Sequence, residues 1–388
     1  MTDSARVEVL VVGGGLTGIA AAVACARAGL STLHLAPKAP PDRRTSALMM
    51  PAVRYLDEAG LVADPAALGH PLRQIRIIDA TRRLLRAPET LFDSAEAGLP
   101  AFGWNFPNIR LTDAFAAAAA GFPELSARDV TLRSLVPAES GWRAELSDGS
   151  LVVTDLVVGA DGKKSLVRQA GEFRSRERAF TEAALVCDLE LGRSIGNCSV
   201  EFHYPRGPFT LVPAGGNRAN LVWIDDRAVL DAARAAGDDA LLATFREKSM
   251  RLFADIRLAT PTHVFPLSTL TVDEAGRNGI VLVGEAAHAF PPIGAQGLNL
   301  GLRDVADLAA SLVACDFTPG LWGRRLSEDY SRRRAPDLAR TTGIVDALFR
   351  SLLADMLPAQ ALRAGGLWAL KSLPVLRHEA FSMGMGNR

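Results

Sequence analysis

An apolar run at residues 7–12 stops at Gly13-Gly14-Gly15-Leu16-Thr17-Gly18. Short apolar runs of this kind form buried strands, and Gly13, Gly15 and Gly18 keep the G-x-G-x-x-G spacing. In that spacing the first glycine turns the chain, the second admits a pyrophosphate to the backbone, and the third lets helix and strand pack closely. Leu16, Ile19, Ala20, Val23 and Ala24 then share one helical face, the helix ends near Gly29, and a second strand follows at 31–35. This β-α-β unit predicts a parallel sheet with a dinucleotide at its first turn; an ordinary tight turn is the alternative. An acid for the ribose hydroxyls should stand near position 36, but the chain reads Ala36-Pro37-Lys38 there. One or two hydrogen bonds of roughly 1 kcal/mol each are then missing.

Two later stretches have the same form. Residues 151–158 read as a strand that ends in Gly159-Ala160-Asp161-Gly162, followed by Lys163, Lys164, Ser165 and Arg168. Asp161 there is either a helix cap or a tether for cofactor groups. Residues 280–283 read as another buried strand, broken at Gly284-Glu285. After the prolines and glycines of 291–297 a helix restarts, with Leu302, Val305, Ala306, Ala309, Leu312 and Val313 as its apolar positions. A helix start presents unpaired N–H groups and the positive end of the helix dipole, so Gly297, Leu298 and Asn299 can hold an anion or an electron-rich carbonyl. Any strand–loop–helix connection would look similar in isolation.

Other segments carry weaker signals. Residues 42–56 predict a basic start and a helix capped at Thr45 or Ser46, with Leu48, Val53 and Leu56 buried. Arg43 or Arg44 there either reaches a phosphate or flavin edge or belongs to a solvated helix start. Residues 72–85 predict an edge strand pair, 104–108 a turn, and 111–121 a helix led by Arg110. From about 180 to 266 the chain turns strand-like, with one helix at 229–253, which suits a mixed sheet forming one wall of a cavity. Beyond Val313 it reads as helical to its end, with breaks at Pro336, Pro358 and Pro374.

Composition narrows the function classes. Lys plus Arg and Asp plus Glu both number 43, so nothing favours nucleic acid. Cys25, Cys187, Cys198 and Cys315 are scattered without a CxxC pair, which predicts reduced thiols in a cytoplasmic protein and no metal site. No signal peptide is expected, and no apolar run approaches the ~20 residues of a membrane span.

Taken together, GxGxxG at Gly13, GADG at Gly159 and the stretch GEAAH…GAQGLN from Gly284 occur in the order found in flavoprotein aromatic monooxygenases of the para-hydroxybenzoate hydroxylase class. Nearly the whole chain resembles that class. RTSAL at 44–48, EFHYPRGPFTLVP at 201–213, PPIGAQGLNLGLRD at 291–304, YSRRRAPD at 330–337 and MGMG from Met383 resemble the ubiquinone-biosynthesis hydroxylases, which act on a polyprenylated phenol. The fold implied is α/β: a Rossmann-like FAD-binding domain (1–71, 98–175, 267–335), an inserted mixed β-sheet substrate domain (72–97, 176–266) and a helical C-terminus (336–388).

The resemblance also implies roles. Gly13, Gly15 and Gly18 take the FAD pyrophosphate, and Arg44 and Arg110 lie along the cofactor. Asp161 and Gly162 serve FAD and NADH or NADPH. Position 285 holds the ribityl chain, Pro292 lies beside the ring, and Gly297, Leu298 and Asn299 face the flavin pyrimidine. Glu285 stands where Asp is commoner, which lengthens the side chain by a methylene. The implied reaction runs through a flavin C4a-hydroperoxide formed with O2, and the cofactor supplies its reactivity. No base for the phenol stands out; His203, Tyr204 and His288 are candidates by motif, and a structural role is the competing reading of each. Residues 362–376 suit either an interfacial helix contacting the inner membrane or packing on the protein's own helices or a partner. A homo-oligomer and a ubiquinone biosynthetic assembly are open partners. Two rival readings also stay open. One is a hydroxylase of a small soluble aromatic acid, with Arg206 and Arg218 as its cations. The other is a non-catalytic, FAD-poor member of an assembly.

Overall fold

The structure, a computed structural model, describes residues 5–81, 87–292 and 296–353. The 362–376 segment, Pro358, Pro374 and the motif at Met383 lie outside the described residues.

Two large sheets organise the chain. In the first, five parallel strands stand side by side in the order Ile280–Leu282, Leu151–Gly159, Ala5–Val12, Thr32–Leu35 and Leu125–Arg128. Val9, Leu10 and Val11 are fully buried, as strands covered on both faces must be. The helix Leu16–Arg27 crosses between the first two strands of the unit, and Gln296–Val313 and Trp322–Leu353 pack into the same core.

The second sheet has nine strands, built around the long strand Ser175–Leu191, which pairs with Arg218–Asp226 and His263–Val272. It is mixed, because Gln74–Asp79 runs parallel to Cys198–Tyr204. One face carries the helices Arg227–Ala235 and Asp238–Lys248 over a core of Leu185, Phe202, Phe209, Trp223 and Phe245. Phe209 and Trp223 both pack on Phe245, with ring centroids 5.9 and 6.1 Å away. A small third sheet, Thr45–Met49, Gly103–Pro107 and His70–Leu72, lies between the two.

Several local expectations are corrected. Residues 45–49 form a strand, and the helix begins at Met50 with Pro51 in its first turn, because Thr45–Met49 finds backbone partners on Gly103–Pro107. The same pairing makes a strand of the turn expected at 104–108. The helix expected at 229–253 is two helices, divided at Gly237, whose φ of +87° only glycine adopts readily. Pro336 lies inside Trp322–Leu353 without ending it. A proline within a helix costs about 3 kcal/mol, and the buried ion pairs of Arg334 described below hold this helix in place against that. Residues 314–321 are not helical, and the apolar Val313 before them is 88% exposed.

Candidate active site

The three motifs meet at one edge of the first sheet. Leu282, Gly159 and Val12 are register partners on adjacent parallel strands, so the Gly284, Ala160 and Gly13 turns leave the sheet side by side at its carboxyl end. Open α/β sheets bind ligands at that edge. The backbone laces the turns together: Gly13 N donates to Leu35 O, Ala160 N to Val12 O, and Val283 N to Gly159 O. His34 Nε2, 2.9 Å from Gly13 O, supports the first turn from below. Burial holds the His34 imidazole below its ordinary pKa.

The glycines divide by what surrounds them. Gly13 has φ +127°, and a Cβ there would lie 2.2 Å from Ala160 O; one on Gly18 would lie 1.9 Å from Gly13 O. Both are needed for close approach. A Cβ on Gly15 would meet nothing within 4 Å, and Gly15 N-caps the helix with no side chain bonded to the exposed amides. Open space before uncapped N–H groups is what a pyrophosphate requires, so these residues fit FAD. Thr17 wedges this helix against the third motif, since Cβ atoms on Gly284 and Gly301 would lie 3.1 and 2.8 Å from its Oγ1.

The Asp161 carboxylate bonds the start of the helix Leu166–Ala170, whose N-cap residue is Ser165. Its Oδ1 accepts from Ser165 Oγ at 2.5 Å, and its Oδ2 accepts from Leu166 N at 2.7 Å. Gly162 follows at φ +78°. Glu285 is exposed on a single 3-10 turn, Gly284–Ala286. Arg44 stands near it and donates to both oxygens of Asp42 at 2.9 and 2.8 Å. The Asp42 bonds raise the Arg44 pKa, and Glu285 adds to the same field. Arg110 is exposed, and its guanidinium lies 3.3 Å from Ala67 O. Pro292 and Gly297 are exposed and Leu298 half-buried, while Asn299 ties the helix start to the small sheet, accepting from Met49 N and donating to Ala47 O, each at 2.8 Å.

Asp42 gives a pH-dependent expectation. Burial pushes its carboxyl up, but bonds from Arg44 and Asn108 outweigh this and hold it at about 2. A depressed folded value stabilises the protein above the unfolded pKa of about 3.9, and that contribution is lost as the pH falls toward 2. Urea unfolding of Asp42→Asn should therefore show a deficit at pH 7 that closes between pH 4 and 2.

The three candidate bases lie in different surroundings. Tyr204 lies on the helix side of the nine-stranded sheet, donating to Lys248 O at 2.8 Å with Lys248 Nζ over its ring. His288 is 2% exposed and 2.6 Å from Asp304 Oδ2. His203 lies on the opposite face from Val200 and Phe202, as strand alternation requires. That face also carries Asn220, to which Asn105 of the small sheet donates at 2.6 Å, and an apolar cluster of Ala184, Ile224 and Leu267. Thr271 pairs with His288 and Leu270 with Ala289, so the 290–292 loop leaves from the edge of the same sheet. Arg206, a candidate cation for an acidic substrate, is paired with Asp226 at 3.3 Å, and Arg218 is exposed.

Asp304 and Arg334 lie within the motifs at 291–304 and 330–337, where no role was expected of them. Asp304 accepts from Gly284 N at 2.7 Å and His288, and faces Arg334 at 2.8 Å; Arg334 reaches Asp307 and Asp337 at 2.8 and 3.0 Å. Their spacing was a signal. Leu300, Asp304 and Leu308 follow i, i+4, as do Leu326, Tyr330 and Arg334, so each charge falls within a buried stripe.

With this geometry established, the comparisons define the class. The FAD binding domain family matches residues 6–343. A ubiquinone hydroxylase of Rhodospirillum rubrum is 32% identical over 98% of this chain and 89% of its own, and the 3-demethoxyubiquinol 3-hydroxylase of Escherichia coli is 28% identical over 98% of both. The crystal structure of p-nitrophenol 4-monooxygenase from Pseudomonas putida shares the fold, with a TM-score of 0.81 at 18% identity over 99% of this chain and 100% of that one. The chain belongs to the FAD-dependent hydroxylases of ubiquinone biosynthesis, within the FAD binding domain family. It is a flavoprotein monooxygenase. Among the described residues, no helix is long and apolar enough to cross a membrane, and no cluster of His, Cys, Asp or Glu is set to hold a metal.

Proposed function

We propose that this protein hydroxylates the electron-rich ring of a polyprenylated phenol, using O2 and electrons from NADH or NADPH. The observation that carries the reading is the meeting of three motif turns at one sheet edge, beside a sheet face with an apolar centre. In this reading the first sheet holds FAD and the nine-stranded sheet forms the substrate wall.

Gly13, Gly15 and Gly18 would hold the pyrophosphate, Glu285 the ribityl chain, and Arg44, Arg110, Asp161 and Gly162 the groups between. Bound flavin supplies the oxygen-activating chemistry. The protein's own part is positional and electrostatic. The helix start at Gly297, Leu298 and Asn299 stabilises negative charge placed before it, and the Asn299 bonds fix its position. Ala184, Ile224, Leu267 and the Pro292 loop exclude water from the reacting centre. Contact with the inner membrane, a biosynthetic assembly and self-association belong to the same reading, and flotation with liposomes tests the first.

The test is flavin absorbance after FAD addition and desalting, followed by O2 uptake with NADH or NADPH and a short-chain prenylated phenol. Retained flavin with phenol-dependent, product-forming uptake is expected. A retained flavin that hydroxylates only small aromatic acids would overturn the substrate. Position 36 gives a second test. Restoring the acid with Ala36→Glu should tighten FAD about tenfold by titration, as one added hydrogen bond of ~1.4 kcal/mol would.

A further inference from the structure

Among the described residues, the substrate-facing side of the nine-stranded sheet carries one histidine–carboxylate pair in contact. His203 Nε2 lies 3.3 Å from Glu201 Oε2, two positions back on the same strand and so on the same face. The two side chains are 16% and 30% exposed. Across the sheet His203 lies in register with Pro208, which precedes the Phe209–Trp223 pair, and Ile224 after Trp223 lies in register with Ala184, so strand alternation puts the imidazole and the apolar cluster on one face.

We propose that His203, oriented by Glu201, takes the proton of the substrate phenol. The inference rests on the substrate reading above. Glu201 accepts from Nε2–H, which fixes the tautomer and leaves Nδ1 as the base. The phenol O–H bond breaks and an N–H bond forms at Nδ1. The electron pair stays on oxygen, where it enriches the ring, and no oxidant or reductant is consumed in this step. Glu201 balances the imidazolium, and the proton returns to the product's oxygen after the ring is hydroxylated.

Other charged groups near the pair are engaged. Asp79, opposite His203 on the neighbouring strand, accepts from Thr81 N, Thr81 Oγ1 and Ala87 N. Arg206, beyond the turn, is paired with Asp226. On the other neighbouring strand Pro208 and Thr210 face the pair and bring no charge.

The experiment uses FAD-loaded protein with a short-chain prenylated phenol and its more acidic ring-fluorinated counterpart. In wild type, binding to the oxidised enzyme at pH 7 should produce the phenolate absorption band. In His203→Gln the phenol should bind without that band, and its hydroxylation should fall about a hundredfold, the lower end of what a general base contributes. The deficit should shrink toward pH 10 and for the fluorinated phenol, both of which ionise without help. Glu201→Gln should lose less and move the acid limb of the rate profile. A phenolate band undiminished in His203→Gln, or an equal loss at every pH and for both phenols, would overturn the proposal. Should that variant lose FAD, the band and profile of His203→Asn decide by the same criteria. A flavin-loaded wild type that binds neither phenol overturns the substrate reading, and this proposal with it.

Discussion

Replacing Arg334 with leucine should lower stability by about 3–5 kcal/mol, the usual consequence of removing one partner of a buried ion pair. Asp304 is 1% exposed, and the change would leave its carboxylate with His288 and the Gly284 amide alone. Burial pushes the Asp304 carboxyl up, and its interactions with His288, Arg334 and the Gly284 amide more than reverse that, so its pKa lies below the ordinary value. By the sign of that shift, the network stabilises the fold above about pH 4 and fails as acid protonates Asp304. The loss should also reach the cofactor, because Asp304 holds the backbone of the turn that carries Glu285. Urea unfolding followed by tryptophan fluorescence gives the first quantity, and flavin retained after desalting gives the second. A variant as stable as wild type, with its flavin intact, would show the network to be incidental.

The glycine turn should separate folding from binding. Gly18→Ala places a Cβ 1.9 Å from Gly13 O, and Gly13→Ala adds a strained φ to a 2.2 Å approach on Ala160 O. No flexible side chain can yield at either place, so the helix or the strand must move. Each change should cost more than about 4 kcal/mol, in the range reserved for backbone strain and overpacking, and yield mostly aggregated protein. Gly15→Ala is the contrast. Gly15 has φ −77°, and its Cβ would enter open space, so this variant should fold with near-normal stability. Its FAD affinity should nonetheless fall at least about tenfold, or 1.4 kcal/mol, because the methyl occupies the space a pyrophosphate needs. Purification yield, denaturation and FAD titration distinguish the three. A Gly15→Ala protein that binds FAD as tightly as wild type would remove the pyrophosphate from that turn.

Much was legible in the chain alone because local signals sufficed. Glycine spacing beside apolar runs placed the strand ends at 12, 158 and 283, against 12, 159 and 282 in the structure, and strand composition marked the second sheet. Motif order then identified the class. Local signals failed where backbone partners came from far away. Thr45–Met49 looked like a helix start, and Gly103–Pro107 like a turn, until each supplied the other's hydrogen bonds across more than fifty residues. Proline at 336 did not break its helix, which the buried ion pairs of Arg334 hold, while the helix expected at 229–253 divides at the positive φ of Gly237. Which way each candidate side chain points was likewise a tertiary decision. His203, Tyr204 and His288 are equal as letters, but strand alternation turns the first toward the apolar cluster and the second toward the helices, and Asp304 takes the third into the core. The sequence by itself determined the strand ends, the cofactor class and the reaction family, because each depends on residues adjacent along the chain. Only the tertiary structure decided which charges are buried and which polar groups are left for chemistry, because those depend on contacts that the order of residues does not contain.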